Sequence, residues 1–236
     1  MPIQRFDAVL ESVRKDTPSV STFRFRLLDG KDFEFKPGQF VNISLPGEGK
    51  RLFRPYSICS SPLEKGMLEF CITRVPQGVV SNAIHTMQPG TPVGIAGPLG
   101  IFFLKEPVEQ DILCIATGSG VGPMRSMITY ALAKGMQKEI WLVLGVRKEF
   151  DIIYKEEFLA LARKHSNFHL LVTLSRPEPG WQGESGYVQT KLDRFFSKKE
   201  ELDVYICGLK DMVMQACQLL LQNGFPKEHV HFERYN

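Results

Sequence analysis

The hydrophobic period of the chain changes near residue 104, and this change constrains the fold more strongly than any other feature. Before it, apolar residues alternate with arginines at Phe23, Phe25 and Leu27, and the same period of two recurs at 41–45 and 68–72. Turn residues rich in glycine and proline separate these runs. A period of two with such turns indicates an antiparallel sheet or barrel.

Beyond Leu104, short apolar runs alternate with segments of helical spacing. This β-α alternation predicts a doubly wound parallel sheet, which binds ligands at the carboxyl ends of its strands. The predicted strands are 112–116, 140–144, 168–174, 204–206 and 230–233, and the predicted helical stretches are 123–133, 155–165, 189–196 and 211–223. We place the junction within 104–108, which gives one domain over 1–104 and a second over 105–236.

Composition excludes several classes of protein. The 236 residues are 43% hydrophobic and 23% charged, which is ordinary globular usage, and a net charge of +3 is too mild to indicate nucleic-acid binding. The five cysteines form no CxxC pair, so we expect no metal or iron–sulfur site and a reducing, cytoplasmic setting. We also expect no membrane span, because no run approaches ~20 apolar residues.

A glycine-rich segment, ThrGlySerGlyValGlyPro at 117–123, follows a predicted buried strand and opens a predicted helix. Backbone amides and the helix dipole at such a turn can hold a pyrophosphate, and Gly118, Gly120 and Gly122 allow close approach of the backbone. Pro123 suits the first helical turn. The alternative is a glycine-rich turn that binds no ligand.

ArgProTyrSerIle at 54–58 combines three useful groups. The Arg54 guanidinium matches a diphosphate, the Tyr56 ring can lie against a planar ligand, and Ser57 offers a hydroxyl. In a strand, Arg54 and Tyr56 share one face and Ser57 lies on the other. The alternative is an edge strand with a surface arginine and a half-buried tyrosine.

GlyValValSerAsn at 78–82 lies where the first half has its one predicted helix, over 81–87. Backbone amides there, together with the Ser81 hydroxyl, would make a second anion site. The alternative is that Ser81 only caps the helix.

Taken in order, these motifs resemble the ferredoxin–NADP reductase superfamily. GlyProLeuGly at 97–100, CysGlyLeu at 207–209 and the aromatic carboxyl terminus complete the match, which covers nearly the whole chain. The resemblance implies a two-domain fold: an α+β domain with a six-stranded antiparallel barrel that binds FAD, and an α/β domain with a doubly wound five-stranded parallel sheet that binds NADP or NAD.

The resemblance also implies roles for single residues. Arg54 would bind the FAD diphosphate, Tyr56 would stack on the isoalloxazine, and Ser57 would hydrogen-bond near flavin N5. The cofactor-binding positions implied in the first half are Arg54, Pro55, Tyr56, Ser57, Cys71, Ile72, Thr73, Gly78, Val79, Val80 and Ser81. Those implied in the second half are Thr117, Gly118, Gly120, Val121, Arg147, Ser175, Arg176, Tyr187, Cys207, Gly208 and Tyr235.

Four residues are the implied catalytic set: Ser57, Cys207, Glu233 and Tyr235. Cys207 matches the cysteine placed near the nicotinamide carbon that gives up hydride. Glu233 and Tyr235 reproduce the Glu-x-Tyr ending of the plant-type reductases, in which the tyrosine covers the flavin face. The alternative for Tyr235 is an ordinary final strand with a frayed aromatic.

Coenzyme choice depends on the residues after the third strand of the second domain. Arg176 there can pair with a 2′-phosphate, and Tyr187 matches the aromatic that stacks on adenine in NADP-using members. We therefore favour NADPH, with Arg147 as a further phosphate ligand. NADH stays possible, because the lysine that often accompanies Tyr187 is absent and TrpGlnGly at 181–183 is similar to NADH-using relatives.

Three functions fit these residues. The first is a monomeric reductase that moves electrons between NADPH and a small carrier such as ferredoxin or flavodoxin, with Lys36, Lys50 and Arg51 as a positive rim for acidic carriers. The second is the reductase component of an oxygenase, or a reductase of free flavin, quinone or another diffusible acceptor. The third is a flavin-binding electron-transfer or regulatory subunit without turnover of its own.

Overall fold

The computed structural model describes residues 3–28, 33–45 and 53–235, and the chain divides into two compact units. The first unit runs to Leu104 and also includes Arg125–Tyr130. The second unit comprises Lys105–Met124 and the chain from Ala131 onward. Within the described ranges, no helix is both long enough and apolar enough to cross a bilayer.

The first unit is an antiparallel sheet that nearly closes on itself. Its elements are β1 (Gln4–Lys15), β2 (Val20–Leu27), β3 (Phe40–Ser44), β4 (Phe53–Ser57), β5 (Met67–Thr73), α1 (Val79–His85) and β6 (Pro92–Leu99). The strand order is β4-β3-β6-β1-β2-β5. An antiparallel bridge between Ile58 and Phe70 joins the chain after β4 to β5, so the two edges of the sheet meet. The predicted six-stranded antiparallel barrel is confirmed.

The period of two fills the barrel interior. Phe23 and Phe25 of β2, Ile43 of β3 and Phe70 of β5 have no solvent exposure. The Phe25 and Phe70 rings meet edge to face with centroids 5.9 Å apart, a favourable geometry for aromatic pairs. Alternate residues of each strand face inward because successive side chains point to opposite faces.

The second unit is a parallel sheet flanked by helices. Its elements are β7 (Asp111–Thr117), both ends of α2 (Val121–Ala133), β8 (Ile140–Val146), α3 (Lys155–Lys164), β9 (Phe168–Leu174), β10 (Glu184–Ser185), β11 (Leu202–Leu209), α4 (Lys210–Gln222) and β12 (Val230–Tyr235). The middle of α2, Arg125–Tyr130, is the segment counted with the first unit. The strand order is β10-β9-β8-β7-β11-β12. Successive strands run outward on one side of β7 and then on the other, so the order reverses at β7. The predicted doubly wound parallel fold is confirmed.

Three details differ from the sequence predictions. The parallel sheet has six strands rather than five, because the two-residue β10 pairs with Thr173 and Leu174 at its edge. The predicted helical stretch 189–196 lies in a run of 3₁₀ turns, Val188–Lys198. There the Asp193 carboxylate accepts the Arg194 N–H (2.9 Å), which removes that donor from an α-helical ladder.

The third difference is the start of α1. Gly78 is the N-cap residue and no side chain caps the helix, so the predicted capping role of Ser81 is wrong. Ser81 lies in the first turn, and its hydroxyl donates to the Gly78 carbonyl (3.3 Å) and accepts the Val75 N–H (3.2 Å). The hydroxyl therefore fixes the loop that precedes the helix.

Candidate functional site

Strand β4 presents the Tyr56 ring and the Arg54 guanidinium on the same face. Tyr56 is the register partner of Val41 and Arg54 that of Ile43, and cross-strand partners share a face. Tyr56 is half-buried against the barrel core, and Arg54 is exposed. Burial raises the pKa of Tyr56 to about 12, and the nearby Arg54 charge opposes this rise. A neutral phenol ring thus lies close to a permanent positive charge.

The neighbouring residues of β4 point elsewhere. Pro55 is exposed, and Ser57 pairs with Phe40 on the opposite face from Tyr56. The chain after Ser57 runs beside β5, where the Cys71 N–H donates to the Cys59 sulfur (3.1 Å). The ends of β4 and β5 are therefore adjacent.

The end of β5 contributes less side-chain surface than the sequence suggested. Thr73 is exposed and Cys71 half-exposed, but the Ile72 side chain is 1% exposed and belongs to the barrel core. Ile72 therefore presents no side-chain surface to a cofactor, and its carbonyl oxygen already lies 3.0 Å from His85 Nε2. The alternation of a strand explains this, because Ile72 lies between two outward-facing residues.

The side chains of Asn82 and Arg74 join the Ser81 hydroxyl in holding the loop before α1. Asn82 donates to the carbonyls of Val75 (2.7 Å) and Gly78 (2.8 Å) and accepts the Arg74 Nε–H (2.8 Å). Val79, the first helical residue, is exposed, whereas Val80 is buried in the core. Sequence reasoning assigned no role to Arg74 or Asn82, although Asn82 ends the GlyValValSerAsn segment and Arg74 lies four residues before it.

His85 ties α1 to β5. Its Nε2 lies 3.0 Å from the Ile72 carbonyl oxygen, and its ring meets Phe23 edge to face with centroids 5.1 Å apart. Burial lowers the pKa of His85, the hydrogen bond to Ile72 opposes this, and the Arg74 charge lowers the pKa further. The neutral imidazole is therefore the form that the folded barrel favours.

This shift predicts an acid-dependent loss of stability. Because the pKa of His85 is lower in the folded state than its ordinary 6.5, the stabilisation is complete above that pH and is lost as the pH falls through the folded pKa. Between pH 7 and 5, thermal unfolding temperatures should fall more steeply for the wild-type protein than for His85→Gln, which keeps an amide donor. Parallel curves for the two proteins would contradict the assignment.

In the second unit, the glycine-rich turn packs directly against β11. A Cβ atom at Gly120 would lie 2.4 Å from the Cys207 carbonyl oxygen, and a Cβ at Gly208 would lie 2.3 Å from the Thr117 hydroxyl. These residues lie at the carboxyl ends of β7 and β11, where the strand order reverses. That crevice is the general ligand-binding position of an open α/β sheet.

The Thr117 hydroxyl is a buried polar atom that, among the described residues, has no hydrogen-bond partner. A buried hydroxyl without a hydrogen bond lowers the stability of the fold by about 1–3 kcal/mol. A ligand bound in the crevice could supply the missing hydrogen bond. Gly118 has a φ of +53° with open space around it, and Val121 is fully buried as the first residue of α2. The turn thus fits the phosphates of a dinucleotide.

Three of the four implied catalytic residues lie on adjacent strands of the second unit. Cys207 of β11 is the register partner of Glu233 on β12, and Leu209 is that of Tyr235. Cys207 is fully buried, whereas Glu233 and Tyr235 are half-buried. Ser57, the fourth residue, belongs to the first unit.

The implied coenzyme-selecting residues gather where β8 and β9 end. The Ser175 N–H donates to the Val146 carbonyl (3.0 Å) and the Arg176 N–H to the Arg147 carbonyl (2.9 Å). Both arginines are exposed. Tyr187, 69% exposed, directly follows Gly186, whose N–H donates to the Leu174 carbonyl (2.8 Å).

One ion pair at this edge was missed by sequence reasoning. Lys148 Nζ lies 2.8 Å from Glu178 Oε1. The two residues are far apart in sequence, and the only available signal was that each follows an arginine singled out as a phosphate ligand. No group of His, Cys, Asp and Glu in the described ranges could hold a metal ion.

Residues 7–104 match the oxidoreductase FAD-binding domain family, and residues 114–218 match the oxidoreductase NAD-binding domain family. A ferredoxin–NADP reductase B of Sorangium cellulosum is 38% identical over 238 residues, which cover 98% of this chain and 98% of the relative. The chain belongs to the ferredoxin–NADP reductase superfamily. It is a flavoprotein oxidoreductase with FAD-binding and NAD(P)-binding domains.

Other relatives are longer than this chain. The phenol hydroxylase P5 protein of Acinetobacter pittii is 30% identical over 238 residues, which cover 99% of this chain and 66% of that protein. The solved structure of a ferredoxin reductase in carbazole 1,9a-dioxygenase is 26% identical with a TM-score of 0.86, and the match covers 100% of this chain and 70% of that one. The chain thus spans about two thirds of these two relatives.

Proposed function

We propose that the chain is an FAD-dependent NADPH oxidoreductase that exchanges hydride with nicotinamide and single electrons with a small carrier such as ferredoxin or flavodoxin. The observation that carries the proposal is the crevice in which the Thr117–Gly120 turn packs against Cys207 and Gly208, next to Glu233. The 38% identity to a ferredoxin–NADP reductase over 98% of both chains supports the choice of carrier.

The first unit would hold FAD through β4, the end of β5 and the loop before α1. FAD, when bound, supplies both two-electron and one-electron chemistry, and the protein supplies orientation and electrostatics. Arg54 would bind the diphosphate and Tyr56 would offer its ring face to the isoalloxazine, since both share one face of β4. The Ser57 hydroxyl, on the other face, would donate a hydrogen bond toward N5.

The second unit would orient the nicotinamide and manage a proton. Thr117 supplies a hydroxyl that has no hydrogen-bond partner in the described part of the chain, and Cys207 would position the nicotinamide ring. Glu233 can take up or release a proton because it is only half-buried and therefore reaches solvent. Tyr235 would act as a gate to the nicotinamide site.

NADPH is the proposed coenzyme because two exposed arginines flank the carboxyl ends of β8 and β9. Arg147 and Arg176 are held together by a backbone hydrogen bond, and a guanidinium fork matches a phosphate. Tyr187 offers an exposed ring for the adenine and directly follows Gly186, whose N–H donates to the Leu174 carbonyl. NADH remains the alternative coenzyme.

The Arg176→Ala variant should therefore lose most of its preference for NADPH. Removing one charge-assisted phosphate contact is expected to weaken NADPH binding about tenfold to hundredfold and to leave NADH binding nearly unchanged. Anaerobic titration with each coenzyme measures both values. Arg163→Ala, a change at another exposed arginine near the end of α3, is the control and should alter neither.

An acidic carrier would meet a positive surface on the first unit. Lys36 is exposed, and its ammonium lies 4.3 Å from the centroid of the Phe103 ring. Lys50 and Arg51, the other residues proposed for this rim, lie outside the described residues. We place the reaction in the cytoplasm, where the five cysteines stay as thiols.

A second candidate is the reductase component of an oxygenase system. The phenol hydroxylase P5 protein and the reductase of carbazole 1,9a-dioxygenase favour it, because both match nearly all of this chain. The same half-reaction would serve a free flavin or quinone as a diffusible acceptor. In a non-catalytic flavin-binding subunit, Cys207 and Glu233 would have no catalytic role.

Stopped-flow spectroscopy tests these candidates. Purified protein should be yellow and should bleach when mixed anaerobically with NADPH, and reoxidation by ferredoxin, flavodoxin, free flavin or quinone then identifies the acceptor. Colourless protein that FAD cannot reconstitute would overturn the enzyme proposal. Yellow protein that no nicotinamide coenzyme bleaches would leave the non-catalytic subunit as the function.

A further inference from the structure

Three cationic side chains and one carboxylate lie where β8 and β9 end. Arg147 and Lys148 follow β8, and Arg176 and Glu178 follow β9. The hydrogen bond from the Arg176 N–H to the Arg147 carbonyl (2.9 Å) holds the two segments side by side, and Lys148 Nζ meets Glu178 Oε1 at 2.8 Å. The Glu178 carboxylate therefore neutralises one of the three cations.

The other carboxylates nearby already have partners. Glu149 Oε1 lies 2.7 Å from Lys155 Nζ. Asp151 accepts the Lys148 N–H (3.1 Å), and its own N–H donates to the Lys148 carbonyl (3.0 Å). The backbone of Lys148 is thus fixed, while its ammonium pairs with Glu178 and lies 5.5 Å from the Phe150 ring centroid.

The Lys148–Glu178 pair is too exposed to matter much for folding. Its side chains are 41% and 62% exposed, and such pairs contribute about 0–1 kcal/mol to stability. A weak pair in water exchanges partners easily. A phosphate dianion carries more charge than a carboxylate, so it competes well for the same ammonium.

We propose that this ion pair sets how strongly the carboxyl ends of β8 and β9 distinguish a nucleotide with a 2′-phosphate from one without it. Glu178 occupies Lys148 in the absence of phosphate, and a 2′-phosphate takes its place. Lys148 is then a third phosphate ligand beside Arg147 and Arg176, and Glu178 is the residue that limits the preference for NADPH. The inference rests on the proposed function, which assigns the adenosine end of the coenzyme to this edge.

The test uses two small probes, adenosine 2′,5′-bisphosphate and adenosine 5′-monophosphate, with calorimetric titration of the FAD-loaded protein. Glu178→Gln should bind the bisphosphate about twofold to fivefold more tightly, because Lys148 is freed, and should bind the monophosphate unchanged. Lys148→Met should weaken bisphosphate binding. In the double variant the gain from Glu178→Gln should vanish, since the lysine that it frees is gone.

Glu149→Gln is the matched control, because it removes the same charge nearby but from a different pair. If Glu149→Gln and Glu178→Gln raised the affinity for the bisphosphate equally, the cause would be the loss of any negative charge nearby and not the release of Lys148. That result would overturn the inference. Unchanged bisphosphate affinity in Glu178→Gln, or a gain that persists in the double variant, would also overturn it. Wild-type protein that binds neither nucleotide would overturn the proposed function and this inference with it.

Discussion

Replacing Gly120 by alanine is expected to lower the rate of flavin reduction by NADPH about 100-fold. The added Cβ would lie 2.4 Å from the Cys207 carbonyl oxygen and 2.6 Å from its carbon, and a backbone neighbour in a central strand cannot rotate away. The turn and β11 must separate, which displaces both Thr117 and Cys207. A displacement of about 1 Å at a reacting centre costs rates of this order.

The same substitution should destabilise the second unit by about 1–3 kcal/mol, the usual cost of overpacking. Thermal denaturation and anaerobic stopped-flow mixing measure the two effects. Gly94→Ala is the control, because its Cβ would lie 2.5 Å from the Ser44 hydroxyl, the end of a side chain that can turn aside. If Gly120→Ala were reduced by NADPH at the wild-type rate, the close approach would have no role in coenzyme binding.

Replacing Ser57 by alanine is expected to slow flavin reduction about 100-fold while FAD stays bound. The variant removes a hydroxyl that we propose donates toward flavin N5, and a contribution of this order is typical when a positioned group assists proton or hydride transfer. FAD retention should persist, because Arg54 and Tyr56 lie on the other face of β4. Absorbance of the bound flavin gives retention, and stopped-flow bleaching gives the rate.

Ser44→Ala provides the matched control for this variant. Ser44 lies at the other end of the β3–β4 pair, opposite Phe53, and its hydroxyl donates to the Gly94 carbonyl (3.2 Å). The flavin of the Ser44→Ala variant should be reduced by NADPH at the wild-type rate. A Ser57→Ala rate within twofold of wild type would assign Ser57 a structural role only.

Local sequence patterns predicted most of the architecture. The alternation around Phe23, Phe25 and Phe70 predicted strands with a buried face, and these three residues are fully buried. The later β-α alternation predicted the parallel sheet, and the strand 168–174 has the predicted bounds. These features are readable because side-chain period and turn chemistry act between residues close in sequence.

The same patterns misplaced details that depend on competition between local bonds. Ser81 has the residue type of a helix cap, yet its hydroxyl is bound to the Gly78 carbonyl and the Val75 N–H. The stretch around Asp193 has helical spacing, yet its carboxylate takes a backbone N–H. Which hydrogen-bond partner such a side chain takes depends on small energy differences, and residue type alone does not predict them.

Residue patterns alone predicted a strand-rich first half, a β-α second half and the motifs that place the chain in its superfamily. Only the folded chain shows that Ile58 and Phe70 close the barrel, that Gly120 lies against Cys207, that Ile72 points into the core and that Lys148 pairs with Glu178. Each of these contacts except the inward turn of Ile72 joins residues at least a dozen positions apart. Their formation depends on strand register and packing, which only the assembled fold defines.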